Sequence, residues 1–217
     1  MRENKSTKAE RGRCELNSSE KEVMKQIFTE IMSFGKPPTI AELQATLKKS
    51  SGDIIKVINT LEEKDILLRS KETKEVVSIY PISLRPTEHL VVMSDGTNFF
   101  AMCAMDALGI PNMFNQSATI NSQCEWCKQK ITIEIDDAEI KSQSHSDIHI
   151  WSPQERKIPA AETCCPLVNF FCSHSHLEEW KIKNPDLAEK GHSSLLEQAY
   201  PCIKECWTRY GEMIGLR

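Results

Sequence analysis

The sequence lacks any long hydrophobic run. Its longest strictly apolar stretch is seven residues, Phe99 to Met105, whereas a membrane-spanning helix needs about 20. The first twenty residues are polar and charged, so no secretory signal is expected. The 217 residues, 40% hydrophobic and 27% charged, are typical of a globular protein with one domain or two small ones. We therefore expect a cytoplasmic protein without a membrane partner.

A concentrated basic surface is also missing. The net charge is −4; residues 1–83 carry 15 basic and 13 acidic groups, and residues 84–217 carry 12 and 18. Proteins that bind a phosphate backbone by default present a basic patch or stripe. This balance does not favour nucleic acid as a partner.

Cysteine is abundant. An odd number of cysteines cannot pair fully, and disulfides rarely persist in a reducing compartment. The expected uses are metal binding, thiolate chemistry and burial. The nine are Cys14, Cys103, Cys124, Cys127, Cys164, Cys165, Cys172, Cys202 and Cys206.

The N-terminal half is predicted to be a winged-helix-like module over residues 18–83, preceded by a mobile tail over residues 1–17. An apolar stripe at helical spacing over residues 23–32 predicts a first helix, with Ser18 or Ser19 as N-cap and Gly35 at its end. Two more helices are predicted, the second capped by Thr39 and the third opening at residues 50–53, before strands over 66–68 and 76–82. Acids outnumber bases on the third helix, so we expect an architectural role and not DNA reading.

Residues 84–217 are predicted to form the catalytic α+β domain, with a mixed or antiparallel β-sheet core and flanking helices. Strands are expected over 89–93, 131–135, 148–151 and 168–171, and a helix over 99–113 that stops near Gly109 and Pro111. Capping-box spacing marks two further helix starts, at Ser175 with Glu178 and at Ser194 with Glu197. The last helix should contain Pro201 and kink there.

Several cysteines leave their roles open. Cys124 and Cys127 form a C-x-x-C between two predicted strands, where a zinc knuckle would lie. A structural zinc site needs four ligands, normally from a second such pair, and the adjacent Cys164 and Cys165 lack that spacing. Cys172 lies near two histidines, which suggests zinc, but strand alternation and a surface position explain that cluster equally well.

The remaining cysteines outside residues 84–172 indicate little chemistry. Cys202 and Cys206 are four residues apart on the apolar stripe of the last helix, where a metal is possible and core burial is favoured. Cys14 lies in the tail, and nothing around it suggests a role.

Cys103 and Asp106 form a more specific pair. On a helix, residues three apart lie on one face, so the thiol and the carboxyl would be neighbours. The flanking residues are apolar, and desolvation raises a carboxyl pKa towards values useful for proton transfer. The alternative is a capping or surface Asp beside a buried cysteine.

The chain resembles the alkylmercury lyases, the MerB family of organomercurial lyases, from about residue 20 to the C-terminus. The resemblance includes the order of the elements and the spacing between motifs. The matching motifs are Phe99 to Leu108 followed by Ile110-Pro111, Cys124 after its strand, Cys165 five residues before Phe170-Phe171, and Glu179-Trp180.

The resemblance implies a catalytic and mercury-binding trio of Cys103, Asp106 and Cys165. Counting back from the Phe pair selects Cys165, and the adjoining Cys164 is then a neighbour that could assist. The family's structural cysteine corresponds to Cys124, and on this basis no zinc knuckle with Cys127 is expected. Some members carry Trp where this chain has Met102, a difference that concerns pocket shape and substrate preference.

The implied activity is protonolysis of the carbon–mercury bond in organomercurial small molecules. Two thiolates would bind mercury(II), a soft cation, as substrate and product, and the aspartate would carry the proton. No cofactor is implied. External cellular thiols would remove the product, and mercuric reductase would accept it. The competing hypothesis is a winged-helix metal-sensing regulator with a cysteine-rich domain, and a third is a structural zinc protein.

Overall fold

The computed structural model describes residues 15–217; residues 1–14, with Cys14 and most of the predicted tail, lie outside the described residues. The helices are α1 (Ser18–Phe34), α2 (Ile40–Leu47), α3 (Ser51–Glu63), α4 (Ala104–Phe114), α5 (Ala160–Thr163), α6 (His174–Lys183), α7 (Pro185–Ala188) and α8 (Leu196–Ile214), with a 3-10 turn at Cys165–Leu167. The strands are β1 (Leu67–Arg69), β2 (Val76–Ile79), β3 (Ile82–Ser83), β4 (Leu90–Met93), β5 (Asn98–Ala101), β6 (Ala118–Gln123), β7 (Lys130–Asp136), β8 (Glu139–Gln143), β9 (His149–Pro153), β10 (Asn169–Phe171) and β11 (Gly191–Leu195).

Two antiparallel sheets form the core. The larger sheet has the order β1-β2-β3-β5-β4-β6-β7-β8, and the smaller has the order β10-β9-β11. Their strands pair antiparallel throughout. The α+β class with an antiparallel sheet core and flanking helices is therefore confirmed. The sequence predicts a domain boundary between residues 83 and 84. β3 and β5, which lie on either side of this boundary in sequence, pair with each other in the larger sheet.

The three N-terminal helices occur in the predicted order, with one different cap. Asn17, and not Ser18 or Ser19, caps α1: its side chain accepts the backbone N–H of Glu20, whose carboxylate accepts the N–H of Asn17 in return. This reciprocal arrangement satisfies two backbone donors that a helix start leaves free. Gly35 ends α1 with φ at 70°, a left-handed conformation that glycine adopts without a steric cost.

The helix predicted over 99–113 begins five residues later than predicted and ends at Phe114, one residue beyond the predicted bound. Residues Asn98–Ala101 form β5, which lies between β3 and β4 in the larger sheet, and α4 begins only at Ala104. Sheet pairing decides the conformation of this short apolar segment, because apolar content alone does not separate a strand from a buried helix. Gly109 and Pro111 lie inside α4, which continues to Phe114.

Both helices predicted from capping-box spacing are present and begin within two residues of the predicted serines, but neither uses the predicted serine as its cap. Ser173, and not Ser175, caps α6, because its side chain accepts the backbone N–H of His176. Ser194 lies in β11, paired with Ile150, and α8 follows after Leu195 without a side-chain cap. A sequence spacing that suits a cap does not outweigh strand pairing.

The last helix packs against α4 through a buried face. Gly109 allows this approach, because a Cβ there would lie 2.1 Å from the ring of Trp207. Cys202 and Cys206 are exposed, so their predicted burial is wrong. Each precedes a buried residue, and one residue along a helix turns the side chain by about 100°. The buried face of α8 comprises Leu196, Tyr200, Ile203, Trp207, Gly211 and Ile214.

His89, at the start of β4, is a buried titratable group between the two sheets. It is 4% exposed, its Nδ1 lies 2.9 Å from Ser122 Oγ, and its ring packs edge-on against Phe170. Burial disfavours the charged imidazolium and lowers the pKa of His89 from 6.5 to about 4. The folded state therefore binds a proton at His89 less readily than the unfolded chain does.

This shift predicts a loss of stability in mild acid. The stabilising effect is fully present above pH 6.5 and is lost as the pH falls towards 4, because the unfolded chain takes up the proton first. Between pH 7 and pH 5, His89 should lower the free energy of unfolding by about 2 kcal/mol. Urea denaturation at the two pH values should show a smaller loss in His89→Gln than in the unmodified protein. Equal losses in both would contradict this role of His89.

Candidate active site

Cys103 and Asp106 meet at the start of α4. Cys103 has an extended backbone and is the N-cap residue: its Sγ accepts the backbone N–H of Asp106 at 3.4 Å. The Cys103 thiol also donates to Asp106 Oδ2 at 3.0 Å. Asp106 is 1% exposed, which contradicts the alternative of a surface carboxylate. The expected proximity is present, but it arises from N-cap geometry and not from two positions within one helix.

Cys165 joins this pair from a distant part of the chain. It begins the 3-10 turn before β10, and the backbone N–H of Ala104 donates to the carbonyl of Val168 at 3.0 Å, tying that turn to the start of α4. The ligand atoms of Cys103, Asp106 and Cys165 all lie within 4.8 Å of one another, and all three residues are buried.

Cys164 lies outside this group. Its Sγ is 3.8 Å from the carbonyl oxygens of Lys157 and Ala160, on the side of α5. The structure therefore brings together the three residues that the resemblance selected, and Cys164 contacts this group only through a side-chain hydrogen bond to Cys165. Their catalytic and mercury-binding roles stay predictions.

The thiols of the cluster are held in the protonated form. Burial, together with the charge of Asp106 and the hydrogen bond to it, raises the pKa of Cys103 to about 11, against the opposing hydrogen bond from Cys165. The hydrogen bond that Cys165 donates to Cys103, along with burial, raises the pKa of Cys165 against the opposing hydrogen bond from Cys164. The directions of these hydrogen bonds form a chain from Cys165 to Cys103 to Asp106. A proton released by either thiol therefore has a short path to the carboxylate.

A cavity of about 260 Å³ opens beside the cluster. Its lining includes Met102 and Pro166, the direct neighbours of Cys103 and Cys165, and exposed Glu88 lies at its edge. An apolar cavity of about 150 Å³ holds a benzene molecule, so this space is large enough for a phenyl group. The three clustered residues do not themselves line this cavity, and two of them adjoin Met102 and Pro166 in the chain. A larger cavity, of about 850 Å³, lies beside α2 and the β1–β2 hairpin, away from these neighbours.

Comparison with known proteins agrees with this site. The family model for alkylmercury lyases matches residues 82–207, which include all three clustered residues. The chain belongs to the alkylmercury lyase family. The expected enzyme class, a lyase acting on carbon–mercury bonds, is thereby confirmed at the level of the family.

Two relatives and one solved structure show how far the likeness extends. An alkylmercury lyase of Bacillus cereus is 27% identical over 196 residues, covering 88% of this chain and 85% of the relative. An alkylmercury lyase of Staphylococcus epidermidis is 26% identical over 186 residues, covering 84% and 80%. The crystal structure of the mercury-bound form of MerB2 superposes with a TM-score of 0.79 at 20% identity, over 94% of this chain and 96% of that one. The alkylmercury lyase fold therefore accounts for nearly the whole chain.

The alternative of a metal-sensing regulator gains no support. The comparisons favour no transcriptional regulator over the lyase family. Within residues 15–217, the helices are too short or too polar to cross a membrane.

The sequence did not reveal a second cysteine cluster in this alkylmercury lyase. Cys124 and Cys127 lie with Cys172 and His176, the ligand atoms of all four within 4.8 Å of one another. His174, the other histidine near Cys172, is exposed and packs against His149 instead. The signal in the sequence is a C-x-x-C at Cys124 and Cys127 followed by a C-x-x-x-H at Cys172 and His176, but 44 residues separate the two halves.

Proposed function

We propose that this chain cleaves the carbon–mercury bond of organomercurials by protonolysis, R–Hg⁺ + H⁺ giving R–H + Hg²⁺. The observation that carries the proposal is the convergence of two buried thiols and one buried carboxyl beside a cavity, in a member of the alkylmercury lyase family. Cys103 and Cys165 are the proposed mercury ligands, and Asp106 is the proposed proton carrier. Family membership supports organomercurials as the substrate class.

The first steps load mercury and move one proton to the carboxylate. A soft cation such as mercury(II) prefers thiolate ligands. The first thiol displaces the ligand X of R–Hg–X, and HX leaves. The remaining thiol proton passes to Asp106, whose Oδ2 lies 3.0 Å from Cys103 Sγ, and the second thiolate binds the metal. The metal then takes the place of the protons that the raised thiol pKa values retain in the free protein.

The last chemical step breaks the carbon–mercury bond. Two thiolates increase the electron density on mercury and on the carbon bound to it. Protonated Asp106 donates its proton to that carbon, R–H leaves, and Hg²⁺ stays on the two sulfurs while the carboxylate is regenerated. A general acid has to be within hydrogen-bond reach of the atom that it protonates. The burial of all three residues excludes bulk water from this exchange.

Product release is the part of the proposal that depends on other molecules. A mercuric ion held by two thiolates leaves when external thiols replace them one at a time, and we propose cellular thiols, followed by mercuric reductase in the cytoplasm, as the acceptors. The chemistry involves no change of oxidation state, so no redox cofactor is part of the proposed cycle.

Benzene release tests this proposal directly. Purified protein incubated with phenylmercury and excess thiol should release benzene, measured in the headspace by gas chromatography. The thiol alone and heat-denatured protein serve as controls, since both offer sulfur ligands without the folded cluster. Folded protein that binds phenylmercury and yields no more benzene than these controls would refute the assigned reaction.

A further inference from the structure

A second group of metal-binding side chains lies outside the candidate active site. Cys124 directly follows β6, and Cys127 lies in the turn before β7. Cys172 directly follows β10, and His176 lies in the first turn of α6. Two segments far apart in sequence thus each supply two ligands. Cys124 and Cys172 are buried, and Cys127 and His176 are half-buried.

The distances in this group fit a tetrahedral metal ion. The sulfurs of Cys127 and Cys172 are 3.7 Å apart, and His176 Nδ1 lies 2.9 Å from Cys172 Sγ and 4.0 Å from Cys124 Sγ. Zinc bonds of 2.3 Å to sulfur and 2.0–2.1 Å to nitrogen place tetrahedral ligands about 3.8 Å (S to S) and about 3.5 Å (S to N) apart. The observed separations lie on both sides of these values, so small side-chain adjustments complete the site.

We propose that Cys124, Cys127, Cys172 and His176 bind one structural zinc ion. Three cysteines and one histidine are a common closed ligand set for structural zinc, with no position left for a substrate. The spacing also suits zinc, because the C-x-x-C lies in a tight turn between strands and the C-x-x-x-H joins the end of β10 to the first turn of α6. This would supply the second ligand pair that the sequence lacked at Cys164 and Cys165.

The alternative of a disulfide does not fit the geometry. A disulfide bond is about 2.05 Å long, and the Cys127 and Cys172 sulfurs are 3.7 Å apart. Simple burial as small apolar side chains explains the group poorly too, because half-buried Cys127 and His176 point into it together with buried Cys124 and Cys172.

The proposed ion would fasten the turn before β7 to the segment that carries Cys165. Protein contacts already join these parts: the backbone N–H of Glu125 donates to the carbonyl of Phe170 at 2.8 Å, and Trp126 Nε1 donates to Glu179 Oε2 at 2.7 Å. Cys172 lies seven residues after Cys165, with β10 between them. A metal bond at one end of this short segment therefore limits the movement of the active-site cysteine at the other.

Metal analysis tests the zinc site without measuring lyase activity. Protein purified without added zinc and dialysed should contain about one zinc per chain by inductively coupled plasma mass spectrometry. Cys127→Ser and His176→Gln should each lose most of it. Two controls should keep it: the Cys202→Ser/Cys206→Ser double variant, which changes exposed cysteines, and Cys103→Ser, which changes the other cluster. A failure of the lyase reaction would leave these readings unchanged.

Cobalt substitution gives a second readout in the full chain. Apo protein loaded with Co²⁺ should show the intense visible bands of a tetrahedral thiolate site, and His176→Gln should weaken and shift them. This readout holds even where a variant folds poorly in zinc-free conditions, because the unmodified protein carries the signal. The proposal would be overturned by folded protein with little zinc, by a different resident metal, or by zinc that Cys103→Ser removes and Cys127→Ser does not.

Discussion

Replacing Cys103 or Cys165 with serine should lower benzene release from phenylmercury by about 1,000-fold or more. Serine keeps the size of the side chain but replaces the soft sulfur with a hard oxygen, which binds mercury weakly. Either change leaves a single thiolate in the cluster, too few to hold the metal and to increase the electron density on the carbon. Initial rates with saturating phenylmercury and excess thiol measure the effect.

Cys164→Ser is the matched control for this experiment. It makes the same chemical change one residue from Cys165, at a sulfur outside the group of three that lies near the carbonyls of Lys157 and Ala160 and hydrogen-bonds to Cys165, a bond that a serine hydroxyl can also donate. Its activity should stay within about threefold of the unmodified protein. An inactive Cys164→Ser beside an active Cys165→Ser would reverse the assignment of the second mercury ligand. Full turnover in Cys103→Ser would remove Cys103 from the site.

The N-terminal helices show what local sequence can predict. The apolar stripe of α1 spans several turns, and its buried residues include Val23, Ile27 and Ile31, so periodicity alone indicates the helix and its inner face. Thr39 and Ser50 cap α2 and α3 as expected, because a cap depends on contacts within four residues. Elements of this kind are encoded locally.

Position in the sheet could not be predicted in the same way. The run from Phe99 to Met105 is apolar at every position, so it carries no period that separates strand from helix. Its first part becomes β5 because β3 and β4 offer partners on both sides. The expected meeting of Cys103 with Asp106 holds nevertheless, since an N-cap side chain lies against the residue three positions later, as two residues of one helix face would.

The two cysteine clusters depend on contacts between distant segments. Cys165 reaches Cys103 through the hydrogen bond between Ala104 and Val168, and no spacing within either segment encodes that contact. Only the family resemblance distinguished Cys165 from Cys164. The same limit applies to Cys172 and His176: their spacing is visible in the sequence, but their proximity to Cys124 depends on the isolated parallel bridge between Cys124 and Phe170.

Replacing Asp106 with asparagine should separate mercury binding from bond cleavage. Asparagine has the same shape and can accept a hydrogen bond, but it cannot take up a thiol proton and pass it to carbon. Both mercury-binding thiols remain, so the protein should still form an adduct with phenylmercury, detected by mass spectrometry of the intact protein. Benzene release should fall by about 100- to 10,000-fold, the usual contribution of a general acid.

The same change at an exposed carboxylate provides the comparison. Asp186→Asn, in α7, makes the same Asp-to-Asn change far from the cluster in sequence and at the surface, so it should release benzene at the rate of the unmodified protein. If Asp106→Asn also kept that rate, another group would have to deliver the proton. If Asp106→Asn failed to bind phenylmercury, the carboxylate would be needed for loading the metal as well as for cleavage, contrary to the expected result. An adduct that persists without releasing benzene is the result expected from a thiol pair that holds the substrate and a carboxyl that completes the reaction.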